Sequence, residues 1–207
     1  MNSHVIKRAH RYRFVGCRCA FGRTCVCDNL NQKPEFVPVY KVGDVGPAGG
    51  LIFYIDEKSD FEGFDYLESS PASCEGEAVA WAIDSQRLGE AIKAVSSWKE
   101  NSLGLGQKST DAMLASDETF SDVGTASGYA NELDCGGHSD WFVPSRTELD
   151  LMYEELAKAG QGNFTDGYYW SSSAYEYGRA WNRPFSVGIA FDGNKDGNFA
   201  VRPIRAF

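Results

Sequence analysis

Residues 140–160, DWFVPSRTELDLMYEELAKAG, constrain this chain more than any other stretch. They predict a short buried strand running straight into a capped helix. Trp141, Phe142 and Val143 are bulky and suit a covered strand. Pro144 bars its predecessor from helical geometry, so the chain turns there. Ser145 then stands as N-cap with Glu148 three residues on, the pattern of a capping box. Leu149, Met152, Tyr153 and Leu156 follow at helical spacing as one apolar stripe. Gly160 takes the left-handed conformation that closes the helix.

Upstream, residues 41–50 (KVGDVGPAGG) place four glycines and a proline ahead of the apolar run 51–55. Phosphate loops follow a strand and open a helix, whereas this loop precedes a strand, so it reads as a turn. Residues 51–55 form the first core strand and residues 64–68 the second. A helix is expected over residues 85–98 from Leu88, Ile92 and Val95. The segment 104–110 (GLGQKST) superficially resembles a Walker loop, but Gln107 separates Gly106 from Lys108 and no strand leads in. A helical turn over 110–115 and a small-residue helix over 126–133 follow. Beyond Gly160, four strand-like runs appear at 168–173, 179–182, 185–191 and 199–207. Residues 192–198 (DGNKDGN) read as a hairpin connection. The order of strands, helices and a terminal antiparallel sheet is an α+β layout.

The chain has 207 residues and a net charge of −9, and that charge is unevenly placed. Residues 1–27 hold six Lys and Arg and no acid, leaving 14 basic and 29 acidic residues for the rest, a balance of −15. A body this acidic repels phosphate backbones, so nucleic-acid binding by the main domain is not expected. The boundary falls near Val39, after a polar, proline-containing linker, so residues 1–38 are a basic, cysteine-rich extension and residues 39–207 the domain. In the extension, Cys17, Cys19, Cys25 and Cys27 form a C-x-C, gap, C-x-C cluster. Structural zinc sites space their paired cysteines more widely, so an extension without metal is expected. No apolar run reaches the roughly 18 residues of a membrane span, so no transmembrane segment is expected. The basic N-terminus lacks the apolar core of a signal peptide, although Phe14, Val15, Gly16 and Cys17 resemble the end of a bacterial lipoprotein cleavage site.

The blocks GDVGPAGGLIFYID, YLESSPA, GLGQKSTDAML, GGHSDWFVPSRTELDLMY, YYWSSSAY and AVRPIRAF occur in that order. Together they resemble one bacterial family, typified by the C-terminal domain of the collagen-like adhesin Lcl and also occurring as a major paralogous domain. The resemblance covers about residues 39–207. It implies a C-type-lectin-like fold in which two helices flank a small antiparallel sheet and the first and last strands pair. It also implies a secreted or surface-attached protein whose role is adhesion or ligand recognition. C-type-lectin-like domains also serve as variable targets of diversity-generating retroelements, and residues 168–195 are suitably placed for such a region. One departure is that the family's usual Asn-Thr pair stands here as Ser109 and Thr110.

Several chemistries were weighed on the residues. Asp192, Asn194 and Asp196 match the front half of a calcium loop, but the acid needed at position 12 falls on Pro203, so no metal or cofactor is expected. His138, Asp140 and Ser145 lie close in sequence, yet Ser145 is accounted for as an N-cap and a triad is defined by spatial roles. Cys74 and Cys135 are the only cysteines of the domain. They are candidates for a disulfide in an exported protein, or for the reactive pair of a relative of formylglycine-generating enzymes, which share the general fold. Binding is the expectation that the terminal segment carries best. Tyr175, Tyr177, Arg179, Trp181, Asn182 and Arg183 combine aromatic anchors with guanidinium and amide groups, the residue types of a recognition surface. The chain is thus expected to be a non-enzymatic domain that binds a protein or glycan. An enzyme of formylglycine-generating type and a structural envelope module are the alternatives.

Overall fold

The structure, a computed structural model, describes residues 39–58, 60–83, 102–176 and 178–207 in full. Of the N-terminal extension it describes the backbone of Tyr12–Arg13, Cys17–Ala20, Thr24–Cys27 and Glu35–Phe36. There, Cys17 lies opposite Cys27 and Cys19 opposite Cys25 in an antiparallel pair. The helix expected over residues 85–98 lies outside the described residues, as does Tyr177.

Within the domain, eight strands run in chain order: β1 (Leu51–Ile55), β2 (Tyr66–Ser69), β3 (Gly76–Val79), β4 (Tyr168–Glu176), β5 (Arg179–Pro184), β6 (Phe191–Asn194), β7 (Phe199–Val201) and β8 (Ile204–Ala206). Three described α-helices, α1 (Gly106–Ser116), α2 (Ala126–Glu132) and α3 (Arg146–Glu155), lie between β3 and β4. The fold is α+β, with a five-stranded sheet ordered β6-β5-β4-β7-β3 and a three-stranded sheet ordered β8-β2-β1.

This arrangement corrects the sequence-based expectation in three places. The first and last strands do not pair with each other; both flank β2, with Leu51 and Ile204 each opposite Ser69. The terminal sheet is mixed, because β7 runs parallel to β4 at Ala200 and Tyr169. The run 199–207 therefore splits at Arg202 and Pro203 into two strands that join different sheets. Finally, residues 185–191 turn instead of extending. Gly188 adopts φ 69° and donates its N–H to the Pro184 carbonyl, leaving Val187 and Ile189 exposed. Residues 195–198 are likewise no hairpin tip. They carry the chain from β6, at the sheet edge, past the β4–β5 hairpin to β7. Lys195 donates its N–H to Gly178 C=O and accepts from the N–H groups of Trp81 and Ala82.

Local sequence explains α3 well. Ser145 Oγ accepts from Glu148 N–H, and Glu148 Oε2 accepts from Ser145 N–H at 2.7 Å, a complete capping box. Leu156 ends the helix, a 3-10 turn follows, and Gly160 closes it in the left-handed region. The other Glu148 oxygen accepts from Gly104 N–H at 2.8 Å and Gly106 N–H at 3.4 Å. One buried carboxylate thus serves the N-termini of two helices, and α1 starts at Gly106, earlier than its apolar pattern implies. The expected strand at residues 141–143 contracts to a single antiparallel bridge between Phe142 and Ile204.

Adjacent strand residues point to opposite faces, and Tyr169 and Trp170 enter separate cores. Trp170 packs with Trp81, Met113, Phe120 and Val201; Tyr169 packs with Leu67, Phe142, Leu149, Met152 and Phe185. A smaller cluster of Ala48, Cys135 and Trp141 surrounds the disulfide between Cys74 and Cys135.

The glycine-rich loop and the C-terminus meet at Glu68, whose side chain is fully buried. Its carboxylate accepts from Ala48 N–H at 3.0 Å, Gly50 N–H at 2.9 Å and the Arg205 guanidinium at 3.4 Å. Arg205 also grips Asp140 through two bonds of 2.9 and 2.8 Å. Burial raises the Glu68 carboxyl above its usual range, against these donors, whereas the hydrogen bond from Arg205 lowers that of Asp140. A side chain at position 50 would place its Cβ 1.7 Å from the Ser69 carbonyl oxygen, so the loop's glycine is a requirement of close approach.

Candidate recognition surface

The end of the β4–β5 hairpin owes its shape to three consecutive serines. Trp170 lies opposite Asn182, but the next pair is Ala174 with Ala180, so β4 carries two extra residues over that interval. Such a bulge re-aims the strand beyond it. Ser171, Ser172 and Ser173 are all fully buried, and every hydroxyl is used. Ser171 Oγ donates to Trp181 C=O, and Ser172 Oγ donates to Pro144 C=O. Ser173 Oγ accepts from Arg146 N–H at 3.0 Å. Trp81 Nε1–H donates to Ser171 C=O at 2.8 Å, tying the bulge to the core.

That anchoring brings Arg146, the first residue of α3, over β5. Its guanidinium carbon lies 3.8 Å from the Trp181 ring centroid. Tyr175 meets the same indole edge-on, with centroids 4.8 Å apart and planes at 76°. Tyr175 remains 45% exposed, while Trp181 and Arg146 are half-buried. Beside this stack, Arg179 Nε lies 2.5 Å from Asp192 Oδ2, and its terminal nitrogen donates to Asp192 C=O at 3.1 Å. Cross-strand register places Asp192 opposite Trp181 and Asn194 opposite Arg179, so all four share one face of the sheet.

The structure therefore gathers Tyr175, Arg179 and Trp181 on one accessible face and removes two of their expected partners from it. Asn182 is 2% exposed, on the opposite face beside Trp170. Arg183 is 5% exposed because α3 lies over it. It contacts Asp150 and Glu154, donates to Gly188 C=O and stacks 4.2 Å from the Tyr153 ring centroid. Arg183 docks the helix on the strand and offers nothing to a ligand. Arg146 is the residue that sequence reasoning missed. A cation in the first turn opposes the helix dipole, an anomaly that asks for a partner, and the Trp181 π-face supplies it. Arg179, Arg183, Arg202 and Arg205 each meet a carboxylate; Arg146 meets none among the described residues.

The remaining candidates find other employment. Asp192 is engaged by Arg179, and Asn194 and Asp196 are exposed around the turn at Lys195. Among the described residues, no three His, Cys, Asp or Glu side chains gather as metal ligands. Ser145 Oγ donates to Ser102 C=O while capping α3, and Asp140 is held by Arg205, so neither forms a triad with His138. Lys195 is fully buried; its ammonium lies 4.5 Å from the Trp81 ring centroid and has no hydrogen-bond partner among the described residues, and burial lowers its pKa to about 8. No helix among the described residues is long and apolar enough to cross a membrane.

The Tyr175–Trp181–Arg146 stack offers an aromatic edge, a rigid indole and a guanidinium that meets no carboxylate among the described residues. Such a surface packs against flat apolar groups and donates hydrogen bonds to oxygen acceptors. No protein-family model matches the chain, and no curated protein matches it significantly.

Proposed function

We propose that this chain is a non-enzymatic recognition domain of adhesin type, with a C-type-lectin-like fold, displayed at a bacterial surface or secreted. It binds a protein or glycan through the face that carries Tyr175, Trp181, Arg146 and Arg179. The observation that carries the reading is the exposed Tyr175 ring beside an Arg–Trp stack that buried serines hold in place. A rigid, partly desolvated aromatic and an oriented guanidinium lose little entropy on binding, which is how recognition hot spots are built. The resemblance of the ordered sequence blocks to the Lcl C-terminal family supports the same reading. Cys74 and Cys135 are joined to each other, which favours a binding role over that of a reactive cysteine pair.

The test is a glycan and matrix-protein array probed with the full chain, with and without EDTA, beside a Tyr175→Ala/Arg146→Gln variant. Saturable binding that the variant loses supports the reading. Binding that the variant retains overturns the face, and EDTA sensitivity would give the Asp192 turn a calcium role.

A further inference from the structure

A second candidate site lies away from this face. A cleft of about 310 Å³ opens between the 61–64 loop, the first turns of α1 and the β8–β2 edge. Phe64 lines it as partly exposed apolar surface, and the buried Leu67, Phe142 and Glu148 lie beneath it. Phe64 is stiffened from behind: it stacks on Phe61 at 5.3 Å and 16°, and Tyr54 meets both rings edge-on. The rim is polar and predominantly acidic, with Glu62 and Asp111 against one ammonium, Lys108.

No described residue neutralises these acids. Asp111 accepts from the Gln107 amide at 2.8 Å through one oxygen. Neither Asp111 nor Glu62 forms an ion pair with a described residue, although Lys108 lies on the same turn as Asp111. An aromatic wall adds its negative π-face to that field. Concave apolar surface with a few unpaired polar groups is the usual form of a small-molecule site, and both contributions select the same sign of charge.

We propose that this cleft binds a small organic cation: a protonated amine on an apolar or aromatic body. The body lies against Phe64, above Leu67 and Phe142, and the ammonium meets Asp111 and Glu62 at the rim. The site is independent of the recognition face, since the two share no residue.

Calorimetric titration of the full chain tests this with three probes of one shape: phenethylamine, phenethyl alcohol and phenylacetate. The amine is expected to bind at least tenfold more tightly than the alcohol and more tightly still than the acid. The exposed substitutions Asp111→Lys and Glu62→Lys should each weaken the amine at least fivefold without moving the unfolding midpoint, and Tyr175→Ala should leave it unchanged. Equal affinity for amine and alcohol, indifference to Asp111→Lys, or no saturable amine binding at millimolar concentration would each overturn the proposal.

Discussion

Arg205 and Arg146 both lie against aromatic rings, at 5.0 Å from Phe207 and 3.8 Å from Trp181, yet they do opposite work. Arg205 is 5% exposed and holds two carboxylates, Glu68 and Asp140, which join the glycine-rich loop, β2 and the C-terminal strand. Arg146 is half-buried, lies over the Trp181 ring and meets no carboxylate among the described residues. The first is a closed network in which every charge has a partner, and such networks fix architecture. The second is an open one, with its geometry supplied by the protein and its acceptor missing. The sequence blocks that carry the family resemblance feed mostly into the closed network: the glycine loop, Glu68, Asp140 and Arg205 belong to four of them. Likeness in those blocks therefore speaks to fold, whereas the proposed binding face lies on the β4–β5 hairpin.

The sharpest way to break this contrast is Glu68→Ala. It leaves Arg205 with Asp140 as its one carboxylate and strips the buried N–H groups of Ala48 and Gly50 of their acceptor, at a cost of about 3 kcal/mol, as for buried donors left unpaired. Urea denaturation measures it, and a loss below about 1 kcal/mol would show that the network is not what fixes the fold.

Lys195 sharpens the contrast from the other side, as a buried cation whose ammonium meets no carboxylate among the described residues. Burial lowers its pKa from 10.5 to about 8. Between those values the unfolded chain binds more protons than the folded one, so stability should rise with pH from about 8 to about 10.5, by about 3 kcal/mol in total. Lys195→Met should remove that dependence and stabilise the protein at neutral pH by a similar amount. A pH–stability profile identical in wild type and variant would refute the assignment.

A smaller effect links the two regions. Ser145→Ala removes one bond of the capping box and should cost about 1 kcal/mol. Because α3 begins with Arg146, the same change should loosen the stack and shorten ligand residence a few-fold. A stability loss with unchanged dissociation would separate the cap from the face.

How much of this was legible beforehand depends on range. The capping box and the Gly160 stop depend on contacts within a few residues, and the sequence pattern locates both. Trp181, Asn182 and Arg183 read alike as recognition residues, and no local pattern shows that the body of α3 covers Arg183 while Trp181 meets only the helix's first residue, Arg146. Phe185, Val187, Ile189 and Phe191 alternate like a strand, but the left-handed Gly188 turns the chain, its backbone packed against Tyr153. Strand order was least legible, because Leu51 and Ile204 take opposite edges of β2 at the same residue, Ser69, across a separation that no local pattern encodes.

The measurement that bears most directly on the central claim pairs denaturation with ligand binding for the Tyr175→Ala/Arg146→Gln variant. Both side chains lie outside the closed network, so stability should stay within about 1 kcal/mol of wild type, the usual range for surface substitutions. Affinity for the array-identified ligand should fall at least tenfold. Retained affinity in a fully stable variant would contradict the account and move the recognition surface elsewhere on the domain.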